Sequence, residues 1–168
     1  MVDIKETVIS RDLKPYHPFL AAFFGGLAEL GMINQGTINI VSERASEYMY
    51  AYLEARENLP AVSSDQDPVS LEGVAGIIDH LNQSLELLGD YRVRQLEDDQ
   101  LVLLIAADQC RICPKGVGGA AIKGSFCPLP SFVQGMVNHV LGSRVLQMSE
   151  TGIVKDGKAC KAYYRMQA

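Results

Sequence analysis

The chain has 168 residues, 48% of them hydrophobic and 21% charged, which excludes a disordered polymer and suffices to bury a core in one domain. No run approaches the roughly 18 uninterrupted apolar residues of a membrane span, and the charged opening Met1-Val2-Asp3-Ile4-Lys5-Glu6 has no apolar signal stretch. The net charge of −5 weighs against nucleic acid as a partner.

Residues 1–16 read as a polar lead-in, and residues 17–168 as a single α+β domain. From Pro18, the spacing of Phe19, Leu20, Phe23, Phe24, Leu27 and Leu30 predicts an amphipathic helix stopped by Gly31. A second helix is predicted from about Thr37 to Asn58, with Ile38, Val41, Ala45, Tyr48, Met49 and Tyr52 as its buried stripe. Residues 60–70 read as a loop. Ser70 then caps a third helix whose stripe is Val74, Ile77, Ile78, Leu81, Leu85 and Leu88, with Gly89 at the C-cap. At Tyr91 the period changes. Residues 91–96 alternate like a half-buried strand, residues 101–107 form a continuous apolar strand, and Glu97-Asp98-Asp99-Gln100 joins them as a hairpin. Pro130 opens a fourth helix carrying Phe132, Val133, Met136, Val137, Val140 and Leu141, ended by Gly142. Strands at 144–154 and 159–166 flank the turn signal Asp156-Gly157. The predicted order is α-α-α-β-β-α-β-β, helices packed on a four-stranded antiparallel sheet.

Charge is unevenly spread. Residues 1–108 hold 18 acidic and 7 basic side chains, whereas residues 109–168 hold 2 and 8. All four cysteines lie in the basic part. Cys110 and Cys113 form a C-x2-C pair after the second strand, Cys127 precedes the fourth helix, and Cys160 starts the last strand. Four thiolates at element ends suit a tetrahedral structural zinc, and in a cytoplasmic protein, expected here, cysteines serve as metal ligands or thiols more often than as disulfides. Antiparallel pairing of the second and fourth strands would carry Cys110 and Cys113 towards Cys160. Arg111, Lys115, Lys123, Lys158 and Lys161 would offset the thiolate charge. The alternatives are small buried thiols, an iron–sulfur centre, or a redox pair. Pro114 and the following glycines speak against the last, because redox C-x2-C motifs open helices.

The glycines at 116, 118, 119 and 124 resemble a phosphate cradle but lack its spacing. His17, His80 and His139 form no metal or catalytic motif, and His139 reads as a helix-surface residue. Glu72, Asp79 and Glu86 read as a solvated helix face. No catalytic residue is assigned. The first two helices are rich in aromatics and methionine, including Phe19, Met32 and Met49, as surfaces for apolar ligands or a second subunit often are. The Gly25-Gly26 pair suggests close packing of another helix there. Tyr163 and Tyr164 point to opposite sheet faces. The candidate ligand pocket is therefore Phe23, Phe24, Tyr48, Met49, Tyr52, Tyr163 and Tyr164.

Three stretches give the chain a family resemblance: the helix Phe23 to Gly31, the segment Arg44 to Tyr50, and Cys110-x2-Cys113, Cys127-Pro128 and Cys160 with Ala162 to Arg165. Over residues 16–167 the chain resembles the 4-vinyl reductase domain family, whose archaeal members are described as hydrocarbon-binding proteins. The resemblance implies the architecture of the transport-particle and haem nitric-oxide-binding superfamily, helices over an antiparallel sheet. It implies dimerisation through helices and a small-molecule-binding role. It also implies metal ligation by Cys110, Cys113, Cys127 and Cys160, with zinc expected before iron. The expected protein is thus a non-catalytic sensor or carrier, homodimeric through its first two helices, that binds a small apolar ligand and has neither nucleic acid nor membrane span. A metal-dependent reductase or hydrolase with a three-cysteine open site, and an assembly protein, are the alternatives.

Overall fold

The structure, a computed structural model, describes residues 3–61, 69–97 and 99–167. Most of the expected 60–70 loop, and Asp98 in the first hairpin, lie outside the described residues. Among the described residues five helices and four strands follow in the order α1 (Ile4–Ser10), α2 (Tyr16–Glu29), α3 (Gln35–Ala55), α4 (Leu71–Leu85), β1 (Tyr91–Glu97), β2 (Gln100–Ala106), α5 (Leu129–Leu141), β3 (Leu146–Asp156) and β4 (Ala159–Met166). The architecture is α+β. The strands pair antiparallel in the order β1-β2-β4-β3. β3 meets β4 in two stretches, because the register shifts between Met148 and Ile153.

The exact element order departs from expectation at the N-terminus. The lead-in contains α1, which Asp3 caps by accepting from the amides of Lys5 and Glu6 at 3.0 and 3.2 Å. Seven residues are too few to show helical periodicity, and Thr7 is the helix's buried residue. Helix ends also differ: α2 starts at Tyr16 and α3 ends at Ala55. α3 begins at Gln35 because Asn34 Oδ1 accepts from the Thr37 amide at 3.0 Å. α4 stops at Leu85 because Glu86 turns left-handed at φ 53°, so Gly89 lies beyond the cap. Leu88 is nonetheless buried.

The expected stripes of the first two helices are corrected more deeply. The residues α3 buries are Ile38, Ser42, Ser46 and Leu53, while Val41, Tyr48 and Tyr52 are exposed. α3 packs on α5 through small groups: a Cβ on Gly135 would lie 2.0 Å from Ser46 Oγ. α2 buries His17, Ala21 and Gly25, while Phe19 and Phe23 remain 67% and 52% exposed. Gly25 does meet a close neighbour, but it is the loop after Cys113 and not a helix. A Cβ there would lie 3.0 Å from Ala120 Cβ, whereas Gly26 faces open space.

The main core lies between the sheet and α4 and α5. Val74, Ile77, Ile78 and Leu81 of α4 meet Leu101, Leu103 and Ile105 of β2 and Val133, Met136 and Val137 of α5. The amphipathic pattern of α4 and α5 reads correctly because both pack on the sheet with one face. Tyr164 is 1% exposed, and its hydroxyl donates to the Pro130 carbonyl at 3.1 Å. This contact locks β4 to the start of α5, the two elements that carry Cys160 and follow Cys127.

Candidate metal centre and ligand cavity

β2 and β4 run antiparallel, with Ile105 opposite Cys160 and Ala106 opposite Ala159. The end of β2 therefore lies beside the start of β4, and the turn after β2 brings Cys110 and Cys113 to the same edge. The Cys110 amide closes that turn on the Ala106 carbonyl at 3.0 Å. The next turn is closed by Val117 and Gly118, whose amides donate to the Cys113 carbonyl. A Cβ on Gly118 would lie 2.3 Å from the Ala21 carbonyl oxygen, so only glycine lets this loop lie flat on α2.

Cys127 arrives from the other side and is held by one side chain. Its amide donates to Gln35 Oε1 at 3.0 Å, and Gln35 Nε2 donates to its carbonyl at 3.0 Å. Gln35 is the first residue of α3, so the helix start fixes the cysteine 92 positions downstream. Nothing in the sequence pattern marked this residue. Arg11 was equally silent, yet its Nη1 donates to the Cys110 carbonyl at 2.6 Å.

Cys110, Cys113, Cys127 and Cys160 all line one cavity of about 540 Å³, and none forms a disulfide. Backbone N–H groups point at three of the sulfurs: Ile112 at Cys110, Gly116 at Cys113 (3.2 Å) and Leu129 at Cys127. Such donors favour the thiolate. Burial acts oppositely. It pushes the Cys110 thiol up to about 12, with the neighbouring Cys113 adding to the shift. It likewise raises Cys127 and Cys160 above the ordinary thiol value. Without a cation Cys110, Cys127 and Cys160 are held as neutral thiols. They stand along the cavity wall and not around a single point: among the described residues, no group of three or more His, Cys, Asp or Glu side chains is disposed to hold a metal ion.

The structure does not bring the seven expected pocket residues together. Tyr164 is core. Tyr163 lies beside it on β4, and these two alone of the seven line one separate surface hollow, with Gln100 and Gln147. Phe23 stacks on Phe19 at 6.2 Å and is tilted against Phe24 at 5.8 Å, on the surface of α2. Tyr48 and Tyr52 are exposed on α3, and Met49 is partly buried against the core. None of the seven lines the cysteine cavity. The aromatic periodicity was that of an exposed face, and single-chain patterning does not separate such a face from a buried one.

The remaining candidates fall elsewhere. His139 packs against Tyr50 with ring centroids 5.6 Å apart, and His80 pairs with the Asn58 carbonyl at 3.1 Å. His17 is fully buried in α2. None of the three lines the cysteine cavity. Glu86 is not merely solvated, because Arg111 binds its carboxylate at 2.8 Å. Asp79 accepts from the Tyr91 hydroxyl at 2.5 Å. Of the glycine loop, Gly116 and Gly124 line the cavity beside the thiols.

A sequence profile matches the chain over residues 31–166, four-fifths of its length. The chain belongs to the MJ0207 family. The stretch shared with the MJ0207 family includes all four cysteines, Gln35 and the whole sheet, whereas α1 and α2 precede it. No curated protein matches the chain. No helix among the described residues is long and apolar enough to cross a membrane.

Proposed function

We propose that the chain is a metal-tied small-molecule-binding module of the 4-vinyl reductase type. In this reading Cys110, Cys113, Cys127 and Cys160 hold one zinc ion, and a small apolar ligand occupies the rest of the cavity. The observation that carries it is convergence: four thiols from three separate stretches line one cavity, and three of them accept backbone N–H groups. The donor set fits a borderline-soft dication, although the thiols would have to turn inward to close on it. The ion would supply a fixed link between the β2 loop, the approach to α5 and the start of β4, and binding it would add folding free energy. The role would be sensing or carriage, without catalysis.

Pairing of two copies through α2 and α3 belongs to the same proposal. Its support is the number of large apolar side chains left exposed on these helices, Phe19 and Phe23 on α2 and Ile40, Tyr48 and Tyr52 on α3.

The test is native mass spectrometry with elemental analysis of the purified protein. One zinc per chain in a dimer is expected, with both the metal and the melting temperature lost in Cys113→Ser. A metal-free protein whose melting is unchanged by Cys113→Ser would overturn the metal reading. A monomer would overturn the pairing.

A second reading, a metal-dependent reductase or hydrolase, is favoured by Cys160. It is the cysteine towards which no backbone N–H among the described residues is directed. Three cysteines would then hold the ion and leave a position open for water or substrate. Retention of zinc in Cys160→Ser, with exchangeable water on the metal, would select it. Loss of zinc in that variant would reject it.

A further inference from the structure

The cysteine cavity is much larger than an ion requires. Its volume is about 540 Å³, against roughly 30 Å³ for one water in the liquid. Its walls divide by chemistry. Ile105 and Phe126, 1% and 9% exposed, contribute apolar surface, while the basic side chains are Arg11, Lys115, Lys155 and Lys158. Asp108 is the one acidic residue among the described lining residues.

These cations are not equally available. Lys115 Nζ donates to the Gly124 carbonyl at 2.5 Å, and Arg11 is engaged by the Cys110 carbonyl. Lys155 and Lys158 flank the β3–β4 turn, and neither forms an ion pair with a described residue. The carboxylate of that turn is drawn off, because Asp156 binds Lys161 at 2.6 Å. Lys155 stands directly opposite Cys160 in the β3–β4 register. Four thiolates on a dication carry two net negative charges. Four basic side chains less Asp108 leave three positive ones, so the loaded cavity keeps a surplus of one positive charge.

From this we infer that the ligand is a small amphipathic carboxylate: its carboxylate faces Lys155 and Lys158, and its hydrocarbon part lies on Ile105 and Phe126. The inference rests on the proposed reading of this cavity as the ligand chamber of a metal-tied module, and it adds a charged head to an otherwise apolar ligand. A neutral hydrocarbon would leave both ammonium groups unpaired at the rim, and an inorganic anion would leave the apolar wall uncovered.

The experiment is titration calorimetry on the full chain, its metal content measured in the same sample, with hexanoate, 1-hexanol and inorganic phosphate as probes. Hexanoate should bind at least tenfold more tightly than either of the others. The double variant Lys155→Ala/Lys158→Ala should lose at least tenfold in hexanoate affinity, with hexanol binding and melting temperature unchanged. Both side chains are exposed, so folding should survive. Equal binding of hexanol, equal binding of phosphate, no binding of hexanoate, or an unaffected double variant would each overturn the proposal. Selective hexanoate binding by a metal-free sample would overturn the metal reading alone and leave the carboxylate site standing.

Discussion

Arg11 Nη1 donates to the carbonyl oxygen of Cys110 at 2.6 Å, joining residues 99 positions apart. A second bond reaches the Ala107 carbonyl at 3.5 Å. The lead-in helix therefore ends on the loop that starts the cysteine cluster. A hydrogen bond from a charged donor contributes roughly 1.5–3 kcal/mol when enclosed, and the partly exposed Arg11 should deliver the lower part of that range. Arg11→Ala should thus lose about 1–2 kcal/mol, a fall of about 3–6 °C in melting temperature for a chain of this size. Urea melts would measure the loss, and hydrogen exchange at residues 4–10 would locate it. Unchanged exchange in α1 would show that the contact does not hold the helix.

The glycine positions separate close approach from mere permissiveness. Gly118→Ala would drive a Cβ to 2.3 Å from the Ala21 carbonyl oxygen and 2.7 Å from that of Pro114. Backbone cannot give way cheaply on both sides, so the variant should lose more than about 2 kcal/mol and weaken metal retention with it. Gly26→Ala is the opposite case. Its Cβ meets nothing within 4 Å and its helical backbone suits alanine, so stability should rise by about 0.5–1 kcal/mol. Denaturant midpoints of the two variants should move in opposite directions.

Metal affinity should be strongly pH-dependent. Burial holds Cys110 near 12 and raises Cys127 and Cys160 as well, so these three thiols of the metal-free protein are protonated at neutral pH. An entering cation must expel those protons, about three per ion, and log K should then rise by about three per pH unit. Chelator competition at pH 6.5 and 7.5 would measure the slope, and a slope near zero would mean that the thiols are not the ligands. The metal-free fold should respond in the alkaline direction. Thiol values raised on folding favour the native state below the ordinary thiol range, and that contribution fades as pH climbs through the raised values. Metal-free protein should therefore soften above about pH 9 in urea melts, while metal-loaded protein should not.

What the sequence made legible follows from where each signal originates. α4, α5 and the two hairpins read well because a one-sided core imposes a period on Val74 to Leu81 and on Val133 to Val137. The convergence of the cysteines followed from antiparallel pairing of β2 with β4, which places Cys160 opposite Ile105. The aromatic stripes misled because Phe19 and Phe23 on α2, and Tyr48 and Tyr52 on α3, are exposed in the single chain, with the same period as buried residues would have. Gln35 and Arg11 escaped notice because each acts through backbone groups of a cysteine over 90 residues away. Polar residues in such roles carry no local pattern. The lysines beside the Asp156-Gly157 turn were visible as charge, but their place on the cavity rim depended on the register of β3.

His17 is buried at 0% exposure, and its Nδ1 accepts from the Lys14 amide at 2.9 Å. Desolvation lowers its pKa below the ordinary 6.5, and nearby Arg111 lowers it further, against a smaller raising effect from Glu86. The folded chain therefore keeps this imidazole neutral, whereas the unfolded chain takes up a proton near the ordinary value. Its contribution is complete above about pH 6.5 and is lost as pH falls through the depressed value, because protonation then favours the unfolded chain. The docking of α2 should loosen first, since Tyr16 next to it bonds the Leu85 carbonyl at 3.1 Å and Arg111 holds Glu86 at the same corner. Urea midpoints at pH 7.5 and pH 5.0 should fall further apart in the native sequence than in His17→Gln, which stays neutral throughout. Equal pH sensitivity in the two would assign the acid response to other groups.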